Sequence, residues 1–173
     1  MSALSIVLIV KDEESRMEAC LQSVAWADEI IVVDGGSKDG TVELARRYTS
    51  KVYERAFDHF SNQKNYGVER ATGEWIFSID ADEIVSPKLK ASLLKVLKEG
   101  SSFDGFYLQR INFLFGRRLL FAGQGKEKLL RFFRKGRGRF EQPIHEKVRV
   151  EGKTGELSEG HGGVSRCDRD GNG

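Results

Sequence analysis

The sequence predicts an α/β protein with a doubly wound, mostly parallel sheet and a strand-rich C-terminal half. Up to about residue 100, short apolar runs typical of buried strands alternate with segments of helical periodicity. Beyond Gly100 the helical periodicity stops, and extended segments rich in aromatic residues follow. Alternating strands and helices build a parallel sheet with right-handed crossovers, which places helices on both faces.

The elements of the first part follow from local patterns. The run Leu4–Val10 is apolar and rich in β-branched residues, which predicts a parallel strand buried on both faces. Three residues are expected to cap helices at their first backbone N–H groups: Thr41, Ser61 and Ser86. The predicted order is strand 4–10, helix 13–25, strand 29–33, helix 41–48, strand 51–54, helix 61–71, strand 75–79 and helix 86–99.

The second part is predicted to be extended. Segment 105–115 is expected to turn at 116–118 into a second strand at 119–122, forming a hairpin. Residues 1–164 form a single predicted domain, with halves at 1–100 and 101–164. The last residues, 165–173, have no apolar period and are expected to be a disordered tail.

Composition restricts the class of protein. With 173 residues, 39% hydrophobic and 31% charged, the chain is expected to be a soluble globular domain with a sizeable core. No apolar run approaches the roughly 18 residues that span a bilayer. The first ten residues lack a basic segment, which favours a strand over a signal peptide. Cys20 and Cys167 lie far apart and predict a reducing compartment, so the cytoplasm is the expected location.

Positive charge is concentrated in one segment although the net charge is only +2. Between Arg110 and Arg139 there are ten Lys and Arg residues and one acid, Glu127. Such a cluster favours an anionic partner. The part at 111–121 mixes aromatic, aliphatic and cationic residues, as a membrane-interface segment does, but an ordinary strand pair with solvated arginines fits equally well. No nucleic-acid-binding module is visible.

The segment Asp80–Glu83 follows a predicted strand and carries three carboxylates in four residues. Alternate residues of a strand share a face, so Asp80 and Asp82 are expected to face the same way and to repel each other unless a cation is present. Mg²⁺ or Mn²⁺ uses a few carboxylates and completes its shell with substrate phosphates. The alternative is a solvated turn that opens a helix. Segments 11–14, 34–40 and 80–83 should meet at the carboxyl edge of the sheet, where ligands of such sheets bind.

Five segments of the chain form an ordered set of motifs: SIVLIVKDEE at 5–14, IVVDGGSKDGT at 31–41, KNYG at 64–67, ATGEW at 71–75 and IDADE at 79–83. Taken in this order, they resemble the family 2 glycosyltransferases with the GT-A fold. The resemblance covers residues 2–160, and within the family the chain looks most similar to bacterial lipopolysaccharide-core enzymes of the heptose β-glucosyltransferase type.

The resemblance implies a donor site in residues 1–100. It assigns nucleotide-sugar binding to Val10, Asp12, Glu13, Asp34, Lys64, Asp80 and Ala81. Asp34 would meet the uracil edge, although a tight strand-to-helix turn explains the same residues. Lys64 would lie near the diphosphate, with a solvated helix residue as an equal alternative. Asp82 would bind the Mg²⁺ or Mn²⁺ that bridges the diphosphate.

The resemblance also implies an acceptor half at 101–164 that carries the general base. Glu146 is the expected base, with Glu141 in reserve. His145 would orient the acceptor or bind the metal, but a hydrogen-bonded structural histidine is the usual role of a lone His. His161 is a further expected metal ligand.

The implied function is inverting transfer of a sugar from a nucleotide-sugar, such as UDP-glucose, to a lipopolysaccharide-core or related glycan. The acceptor is expected to be anionic, at the inner face of the plasma membrane. One alternative is a truncated, inactive nucleotide-binding remnant of the family. Another is a sugar-phosphate nucleotidyltransferase, which segment 11–14 disfavours because it lacks the glycines of a phosphate loop.

Overall fold

The fold is given by a computed structural model, which describes residues 1–111, 113–114, 117–118, 127–142, 147–157 and 164–166. Four helices lie in the described residues: α1 Glu14–Val24, α2 Thr41–Arg46, α3 Phe60–Arg70 and α4 Pro87–Glu99. The strands of the first half are β1 Leu4–Val10, β2 Glu29–Asp34, β3 Val52–Glu54, β4 Trp75–Ser78 and β5 Glu83–Val85. Those of the second half are β6 Gly105–Ile111, β7 Phe113–Leu114, β8 Arg117–Arg118, β9 Glu127–Arg134, β10 Gly138–Glu141, β11 Lys147–Val150, β12 Thr154–Leu157 and β13 Val164–Arg166.

One sheet joins the two halves of the chain. Among the described residues its strand order is β3-β2-β1-β4-β9-β6-β13-β5, with β12 beside β6. The strand pairs β3–β2, β2–β1 and β1–β4 are parallel, as predicted. Strand β9 runs antiparallel to both of its neighbours, β4 and β6. Strand β9 therefore brings residues of the second half next to the centre of the parallel sheet.

Helices cover both faces of the parallel part, which confirms the doubly wound arrangement. On one face, α1, α2 and α4 pack on β1 through residues such as Leu21, Ala45 and Leu93. On the other face, α3 packs against β1 and β2. Helix α3 lies so close to β1 that a Cβ added at Gly67 would stand 2.5 Å from Val7 Cγ1. Glycine at position 67 therefore sets the depth of α3 on the sheet.

The capping expectation holds for one helix and is wrong for two. The Ser86 side chain accepts a hydrogen bond from Leu89 N at 3.1 Å, as predicted for α4. Helix α2 begins with Thr41 itself, whose N–H donates to Asp39 Oδ1 at 3.1 Å. Helix α3 is capped by His59. The hydroxyl of Ser61 instead donates to a carbonyl of the second half, a long-range contact that a local pattern does not reveal.

The second half differs from prediction in its strand ends. The expected turn at 116–118 contains β8, whose Arg117 and Arg118 pair with β7, so the hairpin is tighter than predicted. Residues 119–122 lie outside the described residues. Ser165 and Arg166, predicted to open a disordered tail, lie in β13, which gains backbone partners from both β5 and β6. No helix within the described residues has the length and apolarity to cross a membrane.

A buried carboxylate ties three segments together at the amino edge of the sheet. Glu29, at the start of β2, accepts hydrogen bonds from the Ser5 hydroxyl and the Lys51 ammonium. It also accepts the Thr72 N–H at 2.8 Å and the Thr72 hydroxyl at 3.0 Å. Burial acts to raise the pKa of Glu29, but these hydrogen bonds outweigh it and lower the pKa to about 2.

Replacing Glu29 by Gln should lower the free energy of unfolding by about 2 kcal/mol at neutral pH, because the ionised form is stabilised in the folded state. Because the pKa of Glu29 is lowered, this contribution to stability is complete above the ordinary glutamate pKa of 4.5 and disappears as the pH falls through about 2. Urea unfolding of both proteins between pH 7 and pH 2 measures the difference. The exposed Glu99, changed to Gln, is the control and should track the wild type.

Candidate functional site

The ends of β1 and β2 lie side by side, since Val10 pairs with Asp34. Asp34 is only 1% exposed, and its carboxylate folds back on the following turn. It accepts the N–H groups of Gly36 at 2.9 Å and Ser37 at 3.0 Å, and the Ser37 hydroxyl at 2.5 Å. Gly36 has a φ of 90°, which favours glycine. The structure thus shows Asp34 closing the strand-to-helix turn through these hydrogen bonds. A contact between Asp34 and a nucleobase stays a prediction.

The loop after β1 is hydrogen-bonded to the loop after β2. Asp12 Oδ1 accepts the Lys38 N–H at 2.7 Å, and the Asp12 N–H donates to Ser37 Oγ at 2.9 Å. The Glu13 N–H donates to Thr41 Oγ1 at 2.8 Å. Asp12 has a φ of 53°, a left-handed conformation that these bonds hold in place. Three predicted donor-binding residues, Val10, Asp12 and Glu13, therefore lie together beside Asp34.

The acidic segment is a turn rather than the end of a strand. Strand β4 ends at Ser78, and Ala81 and Asp82 form the turn before β5. The prediction that Asp80 and Asp82 share a strand face is therefore wrong, because β4 ends before either residue and Asp82 lies in the turn. Ala81 is 5% exposed and packs into the core, so Asp80 and Asp82 are separated in the chain by a buried residue.

Asp82 lies at the same edge as the loop after β1. Burial is the main cause that raises the pKa of Glu13. The negative charges of Asp82 and Asp39 raise it further, against the opposing effect of Arg16, whose guanidinium is 2.6 Å from Glu13. Carboxylates of two other loops, Asp82 and Asp39, thus lie close enough to Glu13 to disfavour its charged form, a setting that a divalent cation would relieve.

Asp80 is held between two cations. Lys64 Nζ donates to Asp80 Oδ1 at 3.1 Å, and Arg131 donates to Asp80 Oδ2 at 2.8 Å. Burial acts to raise the pKa of Asp80, but the positive charges of Arg131 and Lys64 outweigh it and hold this pKa below its ordinary value. Lys64 is 3% exposed, so the alternative of a solvated helix residue is wrong.

The neighbouring Glu83 extends this network into the core. It is fully buried, and its Oε2 accepts Arg131 at 2.5 Å and the Asp80 N–H at 3.0 Å. One guanidinium therefore bridges two carboxylates of the acidic turn. Arg131 on β9 thus offsets the charges of Asp80 and Glu83, and together with Lys64 on α3 it keeps Asp80 ionised.

Sequence reasoning did not identify Arg131 as a site residue. The register of β9 against β6 passes from Phe106–Phe132 to Tyr107–Leu130, which leaves Arg131 as the extra residue of a bulge. Bulges redirect side chains and are frequent beside active sites. The only signal in the sequence is the loose alternation of segment 128–134, where a cation interrupts an apolar run.

Of the predicted base candidates and histidine ligands, only Glu141 lies within the described residues. Glu141 lies exposed on β10, 3.7 Å from Arg149. Glu146, His145 and His161 lie outside the described residues. Within the described ranges, no group of three His, Cys, Asp or Glu side chains is arranged to hold a metal ion. A cation at Asp82 would therefore depend on ligands supplied by the donor, as Mg²⁺ sites with substrate phosphates do.

Replacing Arg131 by Met should destabilise the protein by about 3 to 5 kcal/mol, because the buried Glu83 loses its counter-charge. Adding Glu83→Gln to that variant should recover part of the loss, since the two residues interact directly. Urea unfolding of the two single variants and the double variant measures the coupling. Arg139→Met on the exposed side of β10 is the control, and equal losses from Arg131→Met and Arg139→Met would contradict the network.

Comparison of sequences identifies relatives of the chain. The model of the family described as Glycosyl transferase family 2 matches residues 5–151. The lipopolysaccharide core biosynthesis glycosyltransferase LpsC of Rhizobium meliloti (strain 1021) is 30% identical over 164 residues. That match covers 91% of this chain and 61% of LpsC, so the chain spans about three fifths of this relative.

Solved structures share the fold. S. aureus TarS 1–349 in complex with UDP-GlcNAc superposes with a TM-score of 0.69 at 16% identity, covering 98% of this chain and 60% of TarS. Glucosyl-3-phosphoglycerate synthase from Mycobacterium tuberculosis, in complex with Mn²⁺ and UDP-glucose, gives 0.53 at 21% identity, covering 65% of this chain and 44% of that enzyme. Both structures have the GT-A fold, so the similarity confirms the fold predicted from the sequence. Since the family model matches most of its length, the chain belongs to glycosyltransferase family 2.

Proposed function

We propose that the protein is an inverting glycosyltransferase that moves a sugar from a UDP-sugar to an anionic glycan of the lipopolysaccharide-core type. The observation that carries the proposal is the meeting of three polar loops at the carboxyl edge of the sheet. Asp34, Glu13 and Asp82 come from different loops and lie at that edge. Two similar proteins support the proposal: TarS was crystallised with UDP-GlcNAc, and LpsC is named as a lipopolysaccharide core biosynthesis glycosyltransferase.

The residues fit a divalent cation shared with the donor. Asp82 and Asp39 both raise the pKa of Glu13 and so contribute negative potential at the edge where the diphosphate would lie. Asp82 would hold Mg²⁺ or Mn²⁺ together with diphosphate oxygens, and the ion would supply Lewis-acid stabilisation of the departing nucleoside diphosphate. Asp80, held ionised by Lys64 and Arg131, would accept hydrogen bonds from hydroxyls of the ribose or the sugar.

Inverting transfer needs one base on the acceptor side. The acceptor hydroxyl attacks the anomeric carbon, the bond from that carbon to the diphosphate oxygen breaks, and the hydroxyl proton passes to a carboxylate. Glu146 is the proposed base, with Glu141 as the second candidate and His145 as a residue that orients the acceptor or, like His161, binds the metal. The basic segment 110–139 would bind the anionic acceptor, at the inner face of the plasma membrane.

Asp82→Asn should lower the rate of UDP-glucose turnover by on the order of 100-fold or more, because the Lewis-acid contribution is several kcal/mol. The same variant should lose the Mn²⁺-dependent rise in melting temperature that UDP gives to the wild type. Asn has almost the shape of Asp, so the fold should persist. Glu99→Gln is the control, and full activity of Asp82→Asn would remove the metal proposal.

Two other outcomes of these assays favour other functions. Binding of UDP and Mn²⁺ by the wild type, without turnover of UDP-glucose or any other nucleotide-sugar in a panel, would favour the inactive remnant. Release of pyrophosphate from UTP and glucose 1-phosphate would favour a nucleotidyltransferase.

Glu146→Gln should lower hydrolysis of UDP-glucose, in which water replaces the acceptor, by about 100- to 10,000-fold, the usual contribution of a general base. Affinity for UDP should not change, because the base contacts the acceptor and not the nucleotide. Glu141→Gln is the comparison variant. A loss confined to Glu141→Gln would move the base assignment to Glu141.

A further inference from the structure

Two exposed phenylalanines, Phe57 and Phe60, lie in the segment that leads from β3 into the first residue of α3. Phe57 is 43% exposed and Phe60 is 48% exposed. Their rings pack edge to face with centroids 5.1 Å apart. Single exposed apolar residues are ordinary, but two aromatic rings held against each other at the surface form a platform that another flat group can cover.

This platform, Phe57 with Phe60, lies at the ends of β1 and β2. A Cβ added at Gly35 would be 3.6 Å from Phe57 Cβ, 3.4 Å from the Val10 carbonyl oxygen and 3.7 Å from Lys11 Cβ. Phe57 is therefore beside the turn that follows Asp34. The platform borders the loops to which the nucleoside of the donor is assigned.

Hydrogen bonds hold the segment that carries the platform. The Arg55 N–H donates to the Asp34 carbonyl at 2.9 Å, which anchors the segment to the end of β2. The Arg55 guanidinium donates to both oxygens of Asp58, at 2.8 and 2.9 Å. Asp58 also accepts the Asn62 side chain at 2.7 Å, at the start of α3. A segment fixed in this way loses little conformational entropy when a ligand binds.

The edge of a nucleobase has limited access to Asp34. Both of its carboxylate oxygens already accept hydrogen bonds from the turn that it closes. Asp34 is also only 1% exposed, so the edge of a base can hardly reach it, whereas recognition of the base through its face needs no contact with Asp34. Stacking on an aromatic ring uses the face and tolerates different bases.

We infer that Phe57 stacks on the pyrimidine ring of the donor nucleotide, with Phe60 supporting it from the side. This role rests on the proposed nucleotide-sugar function and extends it, because it names the group that binds the base. Phe57 is then a binding residue that contributes to affinity for the nucleoside part and not for the diphosphate. The diphosphate would be bound at the acidic turn around Asp82.

Calorimetric titration with UDP and with pyrophosphate, each with Mn²⁺, tests the inference. Phe57→Leu should weaken UDP binding by about 5- to 100-fold, the usual effect of removing one stacking ring. Phe57→Trp should keep the affinity, because an aromatic face remains. Pyrophosphate should bind Phe57→Leu and the wild type equally. Phe103→Leu is the matched control, since Phe103 is 37% exposed and packs on Phe106, before β6.

The outcomes separate this inference from the proposed function. Unchanged UDP affinity in Phe57→Leu would overturn the stacking role while leaving the nucleotide-sugar function intact. An equal loss of UDP and pyrophosphate affinity would also overturn it, because the variant would then act through the fold. Absence of UDP binding in the wild type would contradict the proposed function itself.

Discussion

Charge balance in the acidic turn is the constraint on which the candidate site depends. Three carboxylates within four residues would repel one another and open the turn if water alone screened them. Lys64 and Arg131 neutralise Asp80 and Glu83, and the remaining carboxylate, Asp82, contributes to the negative potential around Glu13. Two of the three carboxylates of the acidic turn are thereby compensated by cations from α3 and β9.

The two compensating cations come from opposite halves of the sequence. Lys64 belongs to α3, whose depth on the sheet is set by the contact of Gly67 with Val7. Arg131 belongs to the bulged strand β9, which enters the sheet beside β4. The site is therefore assembled where the halves meet, and a change in the packing of either half would alter the position of Asp80. Such an arrangement makes the geometry of the acidic turn in the first half of the chain dependent on a strand of the second half.

Much of the fold and part of the site could be predicted from local patterns. The strand Leu4–Val10 and the cap at Ser86 were predicted correctly because apolar runs and capping residues act over a few positions. The sequence did not reveal that Gly40 and His59, rather than Thr41 and Ser61, would stand at the N-cap positions of α2 and α3, since the Thr41 and Ser61 hydroxyls form hydrogen bonds with distant backbone groups. The role of Arg131 depends on a bulge, and bulges arise from the pairing of strands far apart in sequence, which has no local signature.

The insertion of β9 between β4 and β6 has a consequence for synthesis of the protein. Residues Trp75–Phe77 pair with Phe132–Arg134, so one side of β4 has no strand neighbour until the ribosome has released β9. During that interval the nascent chain presents unpaired backbone groups next to the large apolar rings of Trp75 and Phe77, a combination that invites pairing with other chains. Pairing along this edge of β4 is therefore completed only after synthesis has passed Arg134, nearly 60 residues after β4 itself.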